Sequence, residues 1–294
     1  MAEHGHKPDP IEHVSDSSVW EFFTTTFQKA VEWELPAIPI PGTDHKFQIT
    51  KFMLLELVAA ALILAIFIPL ARRARDGSLP KGKWWNAFES LLTFVRNEIA
   101  RPNLGEHDAD KYVPFLWSVF LFILFCNILG LLPFLGAPTA SIAVTGGLAL
   151  FSLLMIYGTA ILKMGFAHYV KAQWPHIEVP YVGWFFSLFI FVLEQISTLI
   201  KCGVLAIRLF ANIFAGHMVT VSILLFIYQV GVYTQVYLGQ AGGGGAAFYS
   251  GVTLITVLGL AALSLLELFV CFLQAYVFTF LTAIFMGMSL HPEH

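Results

Sequence analysis

The chain has 294 residues, of which 57% are hydrophobic and only 12% are charged, and its formal net charge is −3. Soluble domains carry about 25% charged residues, so the composition excludes an ordinary soluble domain and indicates a polytopic membrane protein. The slightly acidic balance gives no basic surface for nucleic acid. Cys126, Cys202 and Cys271 have no metal-ligand spacing, and we interpret them as small packing or lipid-facing residues.

The N-terminal region, residues 1–50, is polar and holds more acidic than basic side chains. It lacks the basic and apolar regions of a cleavable signal peptide. Its acidic balance, set against the basic residues that follow the first apolar block, predicts an extracytoplasmic segment. His4 and His6 form an HxH pair, but an isolated pair on a polar tail is a weak sign of a metal site. We therefore predict neither a metal nor a cofactor.

Five apolar blocks follow, each long enough to cross about 30 Å of hydrocarbon. They are Phe52–Ala71, Pro114–Leu135, Ser141–Leu162, Gly183–Gln229 and Phe248–Leu290. A turn-rich GAPT segment at 136–139 joins the second block to the third. We predict a first transmembrane helix over 51–71, a loop over 72–113 and a transmembrane hairpin over 114–163.

Basic residues set the predicted orientation. Five of them crowd after the first block: Arg72, Arg73, Arg75, Lys81 and Lys83. The positive-inside rule places loop 72–113 in the cytoplasm and the N-terminus outside, and counting crossings places the C-terminus inside. Lys163 and Lys171 fall in a loop that this count also makes cytoplasmic. Within the first loop, residues 84–101 alternate apolar and charged side chains at helical spacing, which predicts an interfacial amphipathic helix.

The last two blocks are too long for ordinary spans. A helix over 183–229 would reach about 70 Å at 1.5 Å per residue. Each block either breaks into two helices or forms one steeply tilted helix. Neither block contains proline, and the charge count requires an odd number of crossings for each. These features favour an all-α fold that ends in a long tilted helical hairpin over 183–290.

Arg208 is the most informative polar residue, because it lies near the middle of the fourth block. An arginine at bilayer depth costs between about 2.5 and more than ~10 kcal/mol, depending on the method. It cannot avoid that cost by losing its proton. Snorkelling is the alternative, but it operates near helix ends. We therefore expect a carboxylate partner or a water-filled path.

Other polar residues follow Arg208 in helical register. Glu194, Lys201 and Arg208 recur every seven positions and stay within about 40° of one line. Asn212 extends this stripe by one turn, whereas His217 lies close to the opposite side of the helix. Three charges and a histidine at depth predict a proton path rather than simple helix contacts.

The fifth block carries two further polar residues, Glu267 and Gln274, seven positions apart on one face. A hairpin would bring Glu267 level with His217, and imidazole titrates in the physiological range. Hydrogen bonding between helices could explain Asn212 or Gln274 alone. It does not readily explain the ionisable set, so we predict a His217–Glu267 relay.

Three motifs, in this order, resemble subunit a of the membrane sector of bacterial-type rotary F-type ATP synthases. They are FCNILGLLP at Phe125–Pro133 with the PTASIAVT stretch after it, LAIRLFANIFAG at Leu205–Gly216, and LQAYVFTFLT at Leu273–Thr282. The similarity extends from about Trp84 to the C-terminus. It implies a stator subunit of the plasma (inner) membrane that couples the flow of protons, or in some members of sodium ions, to rotor rotation and ATP synthesis. We take the proton as the expected ion. The implied partners are a ring of hairpin subunits c, the peripheral-stalk subunit b and the catalytic sector.

The resemblance also implies a role for each polar residue. Arg208 resembles the stator arginine that faces the rotor carboxylate, and Asn212 and Gln274 match its polar neighbours. The remaining matches are Glu194 and Lys201 in the cytoplasmic half-channel, and His217, Glu267 and Asn127 in the outer half-channel. The chain has Gly130, Ser141 and Ala143 where some relatives carry Asp, Asp and Asn. The outer route is therefore expected to depend more on Glu267, His217 and ordered water.

Two other functions remain as alternatives at this point. A secondary proton-coupled transporter would show repeat-like halves with interrupted helices, and the five blocks show no such symmetry. An intramembrane enzyme would need a nucleophile and base or a ligand set, for which HPEH at His291–His294 is the nearest candidate. The Gly-rich segment Gln240–Gly245 has no lysine and no Walker pattern, so we predict no catalytic site for ATP on this chain.

Overall fold

The computed structural model describes most of the chain from residue 46 onward and three short strands before it. The described ranges are 19–22, 31–34, 37–39, 46–75, 82–132, 136–174, 183–234 and 244–290. His4, His6, the HPEH segment and most of the Gly-rich segment lie outside these ranges. The predictions made for them are therefore not addressed by the described residues.

The N-terminal region contains two short antiparallel pairs. Strand β1 (Val19–Phe22) pairs with β2 (Val31–Glu34), and β3 (Ala37–Pro39) pairs with β4 (Lys46–Gln48). From Lys51 onward, every described regular element is helical. Five helical stretches are long and apolar enough to cross a membrane, which confirms the predicted all-α polytopic membrane fold.

The first and third spanning stretches are close to the predicted blocks. Helix α1 runs over Lys51–Arg75. Helix α2 (Lys83–Phe94) continues through a π-helical segment, Val95–Ala100, into α3 (Arg101–Leu131). Helix α4 runs over Ile142–Met164 and the short α5 over Phe166–Ala172. The predicted turn is present, because Gly136 has a φ of 75° and Pro138–Ala140 forms a 3-10 turn.

The start of the second span differs from the sequence prediction. Pro114 was expected to begin the helix, but it lies inside α3, which kinks at Gly105 (φ 77°, ψ 159°). The sequence prediction missed the part of α3 before Pro114 because the residues there are charged. Asp108 accepts a 2.6 Å ion pair from Lys163, and Asp110 pairs with Arg96 in the same way at 2.7 Å. A helix that satisfies its acidic side chains in this manner can extend beyond the apolar block.

The last two helices are continuous. Helix α6 runs over Gly183–Tyr233, 51 residues, and α7 over Gly244–Leu290, 47 residues. The prediction of one unbroken helix for each block is therefore confirmed. At 1.5 Å per residue, either helix is about twice as long as the ~30 Å hydrocarbon layer. Their tilt relative to the bilayer stays a prediction.

The chain divides into two compact units. The first unit consists of Met1–Val58, Cys126–Ser141 and Phe210–Phe272, and the second of Ala59–Phe125, Ile142–Leu209 and Leu273–His294. The core of the second unit is large and is built around α3, most of whose apolar residues are buried. The described part of the first unit has two small buried clusters, one around Ile213 and Cys271 and the other around Phe52 and Leu55. All three cysteines are buried, which confirms their interpretation as packing residues.

Candidate functional site

In the second unit, α6 has one buried strip and one exposed stripe. Its buried residues Cys202, Leu205 and Leu209 pack into the core cluster, because they recur at helical spacing on one side. The exposed stripe carries Glu194, Lys201 and Arg208. The residues beside this stripe are also exposed and are apolar, including Ile200, Val204 and Ile207. The charged side chains therefore project from an otherwise apolar face of α6.

Arg208 is one of the exposed charged residues of the second unit. Its guanidinium forms no ion pair with any carboxylate of the described residues. Lys201 lies two turns before Arg208. Its Nζ atom is 5.5 Å from the centre of the Phe285 ring, a cation–π contact that holds the ammonium near α7. Glu194 is exposed, and its backbone carbonyl accepts a 3.1 Å hydrogen bond from the Thr198 hydroxyl.

Gln274 differs from this exposed set. It is only 4% exposed and lies on α7 next to Ala275, a residue of the same core cluster. The seven-residue spacing predicted that Glu267 and Gln274 share one face of the helix. Glu267 belongs to the first unit and is partly exposed, so the two residues have different surroundings despite this shared register.

In the first unit, Asn127 is completely buried and its side-chain amide is engaged on both sides. Its Nδ2 atom donates to the backbone carbonyl of Cys271 at 3.5 Å, and its Oδ1 atom accepts a 2.8 Å hydrogen bond from the Thr139 hydroxyl. The side chain therefore ties α3 to the 3-10 turn and to α7. Sequence reasoning identified Asn127 but missed Thr139, whose only signal was a hydroxyl within the turn-rich GAPT segment.

Glu267 packs against the backbone of α6 at Gly216. A Cβ atom at Gly216 would overlap the Oε1 atom of Glu267, so only glycine allows this approach. His217 is the next residue, and the hairpin therefore brings Glu267 level with it, as predicted. Asn212 lies earlier on the same helix and is partly buried.

His217 faces Gly130, one of the three positions at which the sequence differs from that of some relatives. Its Nε2 atom lies 3.6 Å from the position that a Cβ atom of Gly130 would occupy, and that Cβ would also overlap the Ala137 side chain. Nε2 is buried and has no hydrogen-bond partner among the residues that the structure describes. A larger side chain at Gly130 would not fit, so the glycine leaves the imidazole as the polar group at this point.

Lys51 is a residue that sequence reasoning missed. It begins α1, is only 8% exposed and interacts electrostatically with His217. Its Nζ atom lies 3.3 Å from the position of a Cβ at Gly136. A lysine immediately before the first apolar block was the available signal. Of the other two positions that differ from some relatives, Ser141 is partly buried in the first unit and Ala143 is exposed in the second.

The described ranges contain no group of three or more His, Cys, Asp or Glu side chains that could hold a metal ion. The arrangement that they do contain is suited to moving protons. One unit presents an exposed stripe that includes the permanently charged Arg208, and the other holds a histidine with a buried Nε2 atom and a carboxylate that packs on the preceding glycine.

Comparisons with known proteins give one consistent result. The family model described as ATP synthase A chain matches residues 53–287. The chain is 35% identical to ATP synthase subunit a of Myxococcus xanthus over 246 residues, 84% of this chain and 74% of the relative. It is 34% identical to ATP synthase subunit a of Chlorobium phaeobacteroides over 290 residues, 97% and 75% of the two chains. For the same subunit of Anaeromyxobacter dehalogenans, the identity is 36% over 82% of this chain and 58% of the relative.

Proposed function

The chain belongs to the ATP synthase A chain family, and on this premise we propose that Arg208 is the stator charge that faces the rotor carboxylates. Family membership gives the coarser function: the chain is a proton-translocating stator subunit of an ATP synthase complex in the bacterial plasma membrane. The observation that carries the proposal is an exposed, always charged residue on an apolar face of a very long helix.

The mechanism follows from electrostatics. An ionised carboxylate in lipid is very costly, so a rotor can turn only while its lipid-facing carboxyl groups are neutral. Beside the fixed charge of Arg208, the ionised carboxylate is favoured and the proton is released. Arg208 also separates the two half-channels electrostatically, because a free proton is repelled by the guanidinium. A membrane potential of 100 mV supplies about 2.3 kcal/mol per proton.

We assign the two groups of polar residues to two half-channels. Glu194 and Lys201, on the exposed stripe of the second unit, line the cytoplasmic route. His217 and Glu267, in the first unit, form the outer relay, in which the imidazole accepts and passes on a proton and the carboxylate receives it. Asn127 is a positioning residue for this relay, since both sides of its amide are engaged. Asn212 and Gln274 are the polar neighbours of the stator charge.

The proposed partners follow from the same assignment. A ring of small hairpin subunits c would supply the carboxylates, and subunit b would hold this chain against the catalytic sector, where ATP is made. We test this by purifying the tagged chain in mild detergent from its own membrane. Co-purification of a small, ring-forming hairpin subunit is expected. Recovery of a stable complex without one would contradict the stator assignment.

The proposed orientation places the N-terminus outside and the C-terminus in the cytoplasm, because the basic residues crowd after the first span. Single cysteines at residue 3 and at residue 293, in a background without native cysteines, can be labelled with a membrane-impermeant maleimide in sealed vesicles. We expect the two positions to react from opposite sides. Labelling of both from one side would contradict an odd number of crossings.

A further inference from the structure

A chain of polar side chains crosses the second unit on the side of α6 away from its charged stripe. The Tyr157 hydroxyl donates to Gln195 Oε1 at 2.9 Å, and Gln195 Nε2 donates to Gln173 Oε1 at 2.8 Å. Gln173 Nε2 then donates to the Tyr169 hydroxyl at 2.7 Å. We call these four residues the inner clasp. It links α4, α5 with the turn after it, and α6 by side-chain hydrogen bonds alone.

The two tyrosines at the ends of the inner clasp also contact each other through their rings. The Tyr157 and Tyr169 rings meet edge to face, with centroids 6.3 Å apart. The inner clasp therefore joins helices α4, α5 and α6 at one point.

Glu194 is electrically and geometrically coupled to the inner clasp. Its charge contributes, after burial, to the raised pKa of Tyr169. Glu194 and Gln195 are consecutive on a helix, so their side chains point about 100° apart. Holding Gln195 toward α4 therefore fixes the direction in which the exposed Glu194 side chain leaves the helix.

The inner clasp is built from residues that packing alone does not require. Phenylalanine and leucine would fill the same volumes in an apolar bundle without the cost of desolvating hydroxyl and amide groups. A half-satisfied network would be worse than an apolar contact, and here each glutamine both donates and accepts. Burial, the largest cause, raises the pKa of Tyr169 to about 12, so this phenol stays neutral and the chain keeps its donors at physiological pH.

We propose that the inner clasp positions Glu194 for proton transfer by fixing the rotation of α6 in the second unit. The residues of the inner clasp act through Glu194 and do not themselves carry the proton. This inference rests on the proposed role of Glu194 in the cytoplasmic route. It adds Tyr157, Gln195 and Gln173 to the residues that determine the rate of that route.

The test uses the assembled complex in vesicles and compares Tyr157→Phe, Glu194→Gln and the double variant. Tyr157→Phe removes one hydroxyl and keeps the ring. ATP-driven proton flux is measured per assembled complex, with the amount of complex and its thermal stability measured separately. Tyr276→Phe is the matched control, because Tyr276 is an aromatic-packed tyrosine of the same unit with ring contacts to Phe94 and Phe280.

We expect Tyr157→Phe to lower flux per complex by about threefold. Loss of one side-chain hydrogen bond in a membrane changes the ratio of the positioned to the unpositioned conformation by about this factor. The control is expected to be unchanged. In the Glu194→Gln background, the same substitution should have no further effect, because the positioned carboxylate is gone. Gln195→Leu should behave like Tyr157→Phe.

Three results would overturn the inference. Unchanged flux per complex in Tyr157→Phe, with lower stability alone, would make the inner clasp purely structural and leave the role of Glu194 intact. Multiplicative effects in the double variant would show that the inner clasp does not act through Glu194. Normal flux in Glu194→Gln would remove the proposed role of Glu194 and the positioning role with it.

Discussion

The two units treat their polar residues in opposite ways. In the second unit, Glu194, Lys201 and Arg208 lie on an exposed stripe of α6. In the first unit, Asn127 is fully buried and the Nε2 atom of His217 is buried as well. A charge on an exposed apolar face is available to groups outside the chain, whereas a buried ring nitrogen is accessible only from within it. The second unit therefore presents its charged groups at a surface, and the first holds its polar groups in an interior.

The packing of the helices agrees with this difference. The apolar part of α3 is largely buried, whereas α6 has few buried side chains and none of the described side chains at 247–270 of α7 is buried. Helix α6 and the first half of α7 are therefore left mostly uncovered by the rest of the chain. A helix with so little coverage is stable in lipid because its backbone hydrogen bonds are internal. Its exposed apolar length is available to lipid and to other subunits.

The largest effect is expected at the exposed charge. Arg208→Ala should abolish ATP-driven proton pumping and coupled ATP synthesis, and it should raise passive proton leak, because the barrier between the half-channels is gone. Arg208→Lys should leak less than Arg208→Ala but still fail to support synthesis, because lysine lacks the planar guanidinium group and can deprotonate when buried. Both activities are measured in vesicles that contain the assembled complex.

Retention of the rotor ring is the control for Arg208→Ala, since loss of the ring would also stop pumping. Normal synthesis in this variant, with the ring bound, would make Arg208 a structural residue. It would also erase the proposed distinction between a surface-acting and an interior-acting unit.

A smaller effect is expected in the first unit. Glu267→Gln keeps the shape of the side chain but removes its ability to accept and release a proton, so it should slow proton flux strongly and leave assembly intact. Glu106→Gln, an exposed glutamate of α3, is the control and should pump normally. Normal pumping by Glu267→Gln would show that the interior route does not pass through this carboxylate.

The smallest effect concerns the glycine on which Glu267 packs. Gly216→Ala adds a methyl group that overlaps the carboxylate, so the flexible side chain must shift and flux should fall several-fold, less than in Glu267→Gln. Gly203→Ala is the matched control on the same helix, because a Cβ there meets nothing within 4 Å. Alanine also favours a helix over glycine by about 1 kcal/mol, so the control should be at least as stable as the unmodified chain. Equal flux in the two variants would show that the packing of Glu267 on Gly216 does not affect the relay.

Several features of this protein were predictable because they are local. The absence of proline from the last two blocks predicted single long helices, and α6 and α7 are continuous. The seven-residue spacing of Glu194, Lys201 and Arg208 predicted one stripe, and all three are exposed. Polar residues before Pro114 misled the same reasoning, because their ion pairs with Arg96 and Lys163 are formed with distant turns.

Composition and helical periodicity depend on neighbours along the chain, so they were enough to predict the class of fold, most of the spans and the register of the charged residues. Which polar groups meet depends on tertiary packing. Asn127 donates to a carbonyl 144 residues away, and Glu267 packs on Gly216 of another helix. The same holds for the burial of Lys51 and for the inner clasp. Such contacts depend on how helices pack side by side, and a pattern read along one helix does not contain that information.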